Sequence, residues 1–172
     1  MFFIKKFFVK RALVNALNTN RQLVLPNPEK PQSFQLLLDE KQGLEAENYL
    51  SVLKAHFKVE SVTVFVVSGK KPPTLSADKQ VLFFSPASIS WLGKIKDESL
   101  KVQLEKTSQI SLDFRKKQSL LGDFLLASLL SDFRVSFDED RDADLSLKLD
   151  KTVVLTVRIV QLKKYLIKLN GK

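Results

Sequence analysis

The sequence predicts an α/β domain: a small doubly wound, mostly parallel sheet of about five to six strands, preceded by a basic N-terminal helix. Three observations carry this expectation. Short runs such as VTVFVV (62–67) and VLFF (81–84) are almost wholly apolar, the pattern of strands buried on both faces. These runs alternate with segments whose leucines recur at helical spacing, and that alternation gives parallel strands joined by crossover helices. Proline gathers at Pro26, Pro28 and Pro31, which separates a basic leader from the body.

The elements follow in order. Residues 1–22 are read as a basic helix, without glycine or proline. At ~100° per residue, Phe8, Val9, Ala12, Leu13 and Ala16 share a broad apolar face, interrupted by Lys5. Phe3, Phe7 and Val14 form a narrower stripe among Lys6, Lys10, Arg11 and Asn15. Either one face packs on the body and the other meets a partner, or both are buried within the protein. Residues 23–33 are read as a proline-stiffened linker, and 34–172 as the body.

Within the body, FQLLL (34–38) reads as a short strand ending at Asp39. Leu44, Leu50, Leu53 and Phe57 mark a helix over 42–57. The strands 62–67 and 81–84 flank the loop SGKKPPTLSADKQ. A helix over 97–106 has Asp97 as its cap, ISLDF (110–114) is a strand, and 119–131 is a helix apolar on most sides. FRVSF (133–137) and LSLKL (145–149) read as two more strands. The stretch 152–160 has strand composition, yet Leu162, Tyr165, Leu166 and Leu169 follow at helical spacing, which favours a helix over 156–169.

Composition narrows the chemistry. At 172 residues, the chain can bury a core without covalent staples. It has no cysteine, which excludes disulfides, thiolate metal sites and a cysteine nucleophile. Its single histidine, His56, excludes a histidine pair within one chain, and a surface or partly packed role fits it better than a general base. The net charge of +9 is unevenly spread: residues 1–28 carry +5 and residues 151–172 carry +6, with no acid in either, while 29–150 carry 17 bases and 19 acids. Such ends attract phosphate, on lipid or on nucleic acid. No apolar run approaches the ~20 residues that span a bilayer. The broken pattern of the first residues lacks the form of a secretory signal, so the expectation is a cytoplasmic protein, with peripheral attachment to the inner membrane as one reading.

This order of segments resembles a domain family of unknown function found in Bacteroidetes, DUF6913. The basic N-terminal helix carries the resemblance, with FQLLLDE, VTVFVVSGKK, VLFFSPASISWLGKIKDE and SQISLDF, then LASLLSDFRVSF and the end near KKYLIKL. The resemblance covers most of the chain. It implies a small Rossmann-like α/β domain behind a basic leader, and it implies no activity. The chain departs from the family's tendency at Ser136, where glycine is usual.

No glycine-rich phosphate turn follows the first strand. DEKQGLEAE contains only Gly43, with Glu40, Glu45 and Glu47 around it, so no nucleotide cofactor is expected there. Asp39 and Asp113 each end a predicted strand. They could face a crevice as an acid–base pair or a magnesium site, but capping of the following turn is the simpler role. DEDRDAD (138–144) reads as a solvated acidic loop, since it lacks the glycine and closing glutamate of a calcium loop. Trp91 reads as a core residue, with an exposed interface anchor as the alternative. No metal site and no cofactor are expected.

The expected function is that of a non-catalytic accessory protein. Phe3, Lys5, Lys6, Phe7, Lys10 and Arg11, with Arg158, Lys163, Lys164 and Lys168, would dock it on an anionic lipid surface or a membrane protein complex. The alternative partner is a ribosome or rRNA, contacted without sequence readout, and no specific DNA is expected. The second alternative is an enzyme that uses Asp39 and Asp113.

Overall fold

The structure, a computed structural model, describes residues 9–15, 22–30, 32–69, 81–90, 92–138, 141–150 and 152–171. Its centre is a six-stranded sheet in the order β3-β2-β1-β4-β5-β6, with every pair parallel. The strands are β1 (Gln32–Asp39), β2 (Val59–Val67), β3 (Val81–Phe84), β4 (Ser108–Asp113), β5 (Ser131–Ser136) and β6 (Leu145–Ser146). Residues 9–15 are helical and are called α1. The later helices are α2 (Glu40–Gly43), α3 (Ala46–His56), α4 (Glu98–Leu104), α5 (Leu120–Ser128) and α6 (Leu155–Leu169).

Strand alternation sorts the apolar side chains into two layers. On one face, Phe34, Leu36 and Leu38 of β1 join Val64 and Val66 of β2, and α3 and α6 cover them through Leu53, Phe57, Ile159, Leu162 and Leu166. On the other face, Leu37, Phe65 and Phe84 lie under Leu100 and Leu104 of α4 and Phe124, Leu125 and Leu126 of α5. Val9, buried, and Ala12 and Leu13, partly buried, place α1 on this second layer. Both faces of the central strands are thus dry, which is why they read as continuous apolar runs. Gln35 interrupts β1 at no cost in unpaired groups: its Oε1 accepts the Ser108 and Ser111 hydroxyls at 2.9 and 3.0 Å, and its Nε2 donates to Lys106 O.

Several expectations change in detail. β1 begins at Gln32, inside the stretch read as linker, because Gln32 N–H reaches Lys58 O at 2.8 Å and the residue pairs with Val59. The preceding irregular segment is tied to the body: Val24 N–H donates to Asp132 O, and Asn170 Nδ2 donates to Pro26 O. The helix read over 42–57 is two helices, broken at Leu44, which is 74% exposed. Gly43 closes α2 against β2 so tightly that a Cβ there would lie 2.7 Å from Val66 Cγ1. The strand read over 145–149 shrinks to two residues, a short edge of the kind that resists unwanted pairing. The helix favoured over 156–169 is present as α6 and starts one residue earlier, since burying Ile159, Leu162 and Leu166 together requires helical spacing. Of the basic leader helix read over 1–22, residues 9–15 are described and helical; Phe3, Lys5, Lys6 and Phe7 lie outside the described residues, as does Trp91.

Candidate functional site

The strand order reverses direction between β1 and β4, and in open parallel sheets ligands settle beyond the carboxyl ends of the strands at such a switch point. Asp39 and Asp113, read from the sequence as strand-ending carboxylates, are the last residues of β1 and β4. The register pairs Leu37 with Asp113, so Asp39 stands two positions further out.

Each carboxylate is engaged by the chain's own donors. Asp39 Oδ2 accepts the backbone N–H groups of Lys116 and Lys117 at 2.6 and 3.1 Å. Asp113 is 1% exposed, and both of its oxygens are held by Arg115: Oδ1 by Nε at 2.8 Å and by the backbone N–H at 3.1 Å, Oδ2 by Nη2 at 2.6 Å. Asp39 and Asp113 are thus held by different donors, Asp39 by the Lys116 and Lys117 N–H groups and Asp113 by Arg115. Both carboxylates accept hydrogen bonds from the turn that follows β4.

The rest of the crevice is stitched in the same way. Phe114 N–H donates to Leu37 O at 3.0 Å. Gln42, buried in α2, donates through Nε2 to Phe114 O at 2.7 Å and accepts Asp39 N–H at its Oε1. Across the top lies Arg141, whose Nη2 donates to Arg115 O at 3.1 Å and whose Nη1 is 3.6 Å from Asp113 Oδ2 and 3.5 Å from Asp123 Oδ1. Arg115 Nη2 is itself 3.3 Å from Asp123 Oδ1. Burial works against the Arg115 charge, but the hydrogen bonds and charge of Asp113, with Asp123 behind, outweigh it and hold the guanidinium above the ordinary arginine pKa. Two arginines and the carboxylates of Asp113 and Asp123 thus form one largely buried ion cluster beyond the carboxyl end of β4. Among the described residues, no group of three or more His, Asp or Glu side chains is arranged to hold a metal ion.

Arg115 also fixes α5. Its Nη1 lies where a side chain on Gly122 would be, 1.5 Å from an ideal Cβ, so only glycine admits the guanidinium there. Ser119 caps the same helix end by accepting Gly122 N–H at 3.1 Å. At the opposite end, Arg134 Nη2 donates to Ala127 O and Leu129 O at 3.2 and 3.0 Å, where the helix presents its partial negative charge.

Sequence reasoning missed this cluster. It treated residues 138–144 as a solvated loop, whereas Arg141 is buried and the Asp144 carboxylate accepts the Arg134 backbone N–H at 2.7 Å. The available signal was Arg115 two residues past a strand-ending aspartate, a spacing that lets a guanidinium fold back on the carboxylate. Ser136, the departure from glycine, turns its hydroxyl onto its own turn and accepts Asp138 N–H at 3.0 Å.

The basic docking residues divide. Lys10 and Arg11 are exposed on α1, and Lys164 and Lys168 are exposed on α6. Arg158 and Lys163 are structural ties: Arg158 Nε donates to Val153 O at 3.2 Å, and Lys163 Nζ donates to His56 O at 2.8 Å while lying over the Phe57 ring. The two ends also do not form one patch, because α1 and α6 belong to opposite layers of the sheet.

Fold and site together define a doubly wound parallel α/β domain with an ion cluster at the carboxyl end of β4. The chain belongs to the DUF6913 family, a family of unknown function, whose model matches residues 5–169. No curated protein and no solved structure matches it.

Proposed function

We propose that this chain is a non-catalytic docking protein that attaches to an anionic membrane surface through its amino-terminal segment. The observation that carries this reading is the division of α1. Val9, Ala12 and Leu13 pack on the second core layer, and Lys10, Arg11 and Val14 face outward. An anchored helix with a basic and partly apolar outer side suits an anionic interface, where each Lys or Arg contributes about 1 kcal/mol. The engagement of both carboxylates by the chain's own donors supports an accessory role over an enzyme built on Asp39 and Asp113. No helix among the described residues is long and apolar enough to cross a membrane, so attachment would be peripheral.

The test uses the full chain. Lys10→Glu/Arg11→Glu changes only exposed side chains and should leave the far-UV circular dichroism unchanged. Flotation with phosphatidylglycerol vesicles should then fall by about thirtyfold or more, the effect of losing two such attractions. Equal flotation of variant and parent would refute the proposal. So would binding confined to ribosomes in sedimentation, with a steep salt dependence.

A further inference from the structure

We infer that the outward side of α6 is a second docking surface, one that receives an acidic amphipathic helix from a protein partner. Val157, Gln161, Tyr165 and Leu169 recur every four residues and so form one slanted stripe, with Val154 at its start. Val154, Val157, Tyr165 and Leu169 are all exposed large apolar side chains, Tyr165 at 45% and Val154 at 64%. Lys164 and Lys168 run beside the stripe on the same side, and neither makes an ion pair among the described residues. An apolar centre with an aromatic residue and a charged rim is the anatomy of a protein interface.

Charge decides the occupant. Lys164 and Lys168 are the exposed bases beside the stripe, and residues 151–172 contain no acid. Two copies of α6 placed face to face would set lysine against lysine, which excludes self-association through this surface. The occupant must be anionic at its rim and apolar at its centre. The choice of protein over lipid rests on the membrane reading above: α1 and α6 lie on opposite layers, and a flat bilayer engaged by one faces away from the other. The chain would then act as an adaptor, with a lipid surface on one side and an acidic helix on the other. Arg158 and Lys163 take no part, since Arg158 is bonded to Val153 O and Lys163 to His56 O.

The probe is a fluorescein-labelled amphipathic peptide of about 18 residues, long enough to form a stable helix, with leucine on one face and glutamate elsewhere. Anisotropy should report binding by the full chain that weakens with salt and is absent for the same peptide carrying lysine in place of glutamate. Lys164→Glu/Lys168→Glu should weaken it about tenfold or more, the scale of two exposed charge contacts. Tyr165→Ser should weaken it comparably, whereas Lys10→Glu/Arg11→Glu should not. No binding of the acidic peptide, or binding insensitive to Lys164, Lys168 and Tyr165, would overturn the inference. Loss of vesicle flotation in Lys164→Glu/Lys168→Glu would overturn it too, by making lipid the occupant. Flotation unaffected by Lys10→Glu/Arg11→Glu would refute the membrane reading, and peptide binding would still be read separately.

Discussion

Arg115 folds back onto Asp113, two residues behind it, and grips the buried carboxylate from both sides, Nη2 to Oδ2 at 2.6 Å and Nε to Oδ1 at 2.8 Å. This pair sits at the point of the sheet where a ligand would be sought, and it is fully shielded from water. Burying two charges is costly, and the geometry offsets that cost only while both partners are present.

Arg115→Met should therefore destabilise the fold by about 3–5 kcal/mol, since it leaves the buried Asp113 carboxylate only the longer contact to Arg141 at 3.6 Å. Adding Asp113→Leu should restore much of the loss, because the double variant leaves no lone charge. Urea unfolding of the four-member cycle reads this directly. A loss below about 1 kcal/mol for Arg115→Met would mean that the pair is not the buried cluster described above.

Gly122→Ala should destabilise despite alanine's better helix propensity. The added Cβ would lie 1.5 Å from Arg115 Nη1 and must displace a guanidinium held by two carboxylates. Overpacking of this kind costs about 1–3 kcal/mol. In the Arg115→Met background the same substitution should be far milder, and equal effects in both backgrounds would show that the close approach is unimportant.

Asp97 caps α4, its Oδ1 accepting the Ser99 hydroxyl at 2.7 Å and the N–H groups of Ser99 and Leu100 at 2.9 and 3.2 Å. The Ser99 hydroxyl bond first, then the Leu100 backbone bond, hold its pKa below the ordinary 3.8. A carboxyl with a depressed folded pKa stabilises above its unfolded pKa, and the contribution disappears as pH falls through the folded value. Asp97→Ala should cost about 1 kcal/mol at neutral pH. Thermal melts of the two proteins should converge as the pH falls below the ordinary value of 3.8. A gap that persists unchanged in acid would rule out the carboxylate as its source.

The basic residues of α6 should separate by role. Lys163→Ala removes the donor to His56 O and the contact over Phe57, and should cost about 1 kcal/mol of stability. Lys164→Ala and Lys168→Ala change exposed side chains and should stay within about 0.5 kcal/mol of the parent. Denaturant midpoints for the three variants decide this, and equal midpoints would remove the tie assigned to Lys163.

Legibility varied with the range of the interaction. VTVFVV announced a buried strand because both its faces are dry, whereas the equally apolar VLFF is the edge strand β3 with only Phe84 buried, and the Asp97 cap was visible because it acts within three residues. The break at Leu44 was hidden, since the close seat of Gly43 on Val66 depends on a strand that comes later in the chain. Arg141 was read as solvated because its neighbours in sequence are acids, whereas besides Asp138 its partners are the distant Asp113, Asp123 and Arg115 O. Lys163 was counted as a free charge because nothing nearby in sequence reveals the carbonyl of His56.

The sequence by itself determined the α/β class, the strand-ending positions of Asp39 and Asp113 and the concentration of positive charge at both ends. Apolar periodicity and composition act locally, and the chain records them directly. Only the tertiary structure decided that Asp113 is buried with Arg115 and Arg141, that α1 and α6 lie on opposite layers, and which lysines face water. Those outcomes depend on which groups the parallel crossovers bring together from distant parts of the chain, and a guanidinium or ammonium group is paired or free according to neighbours that its own segment does not contain.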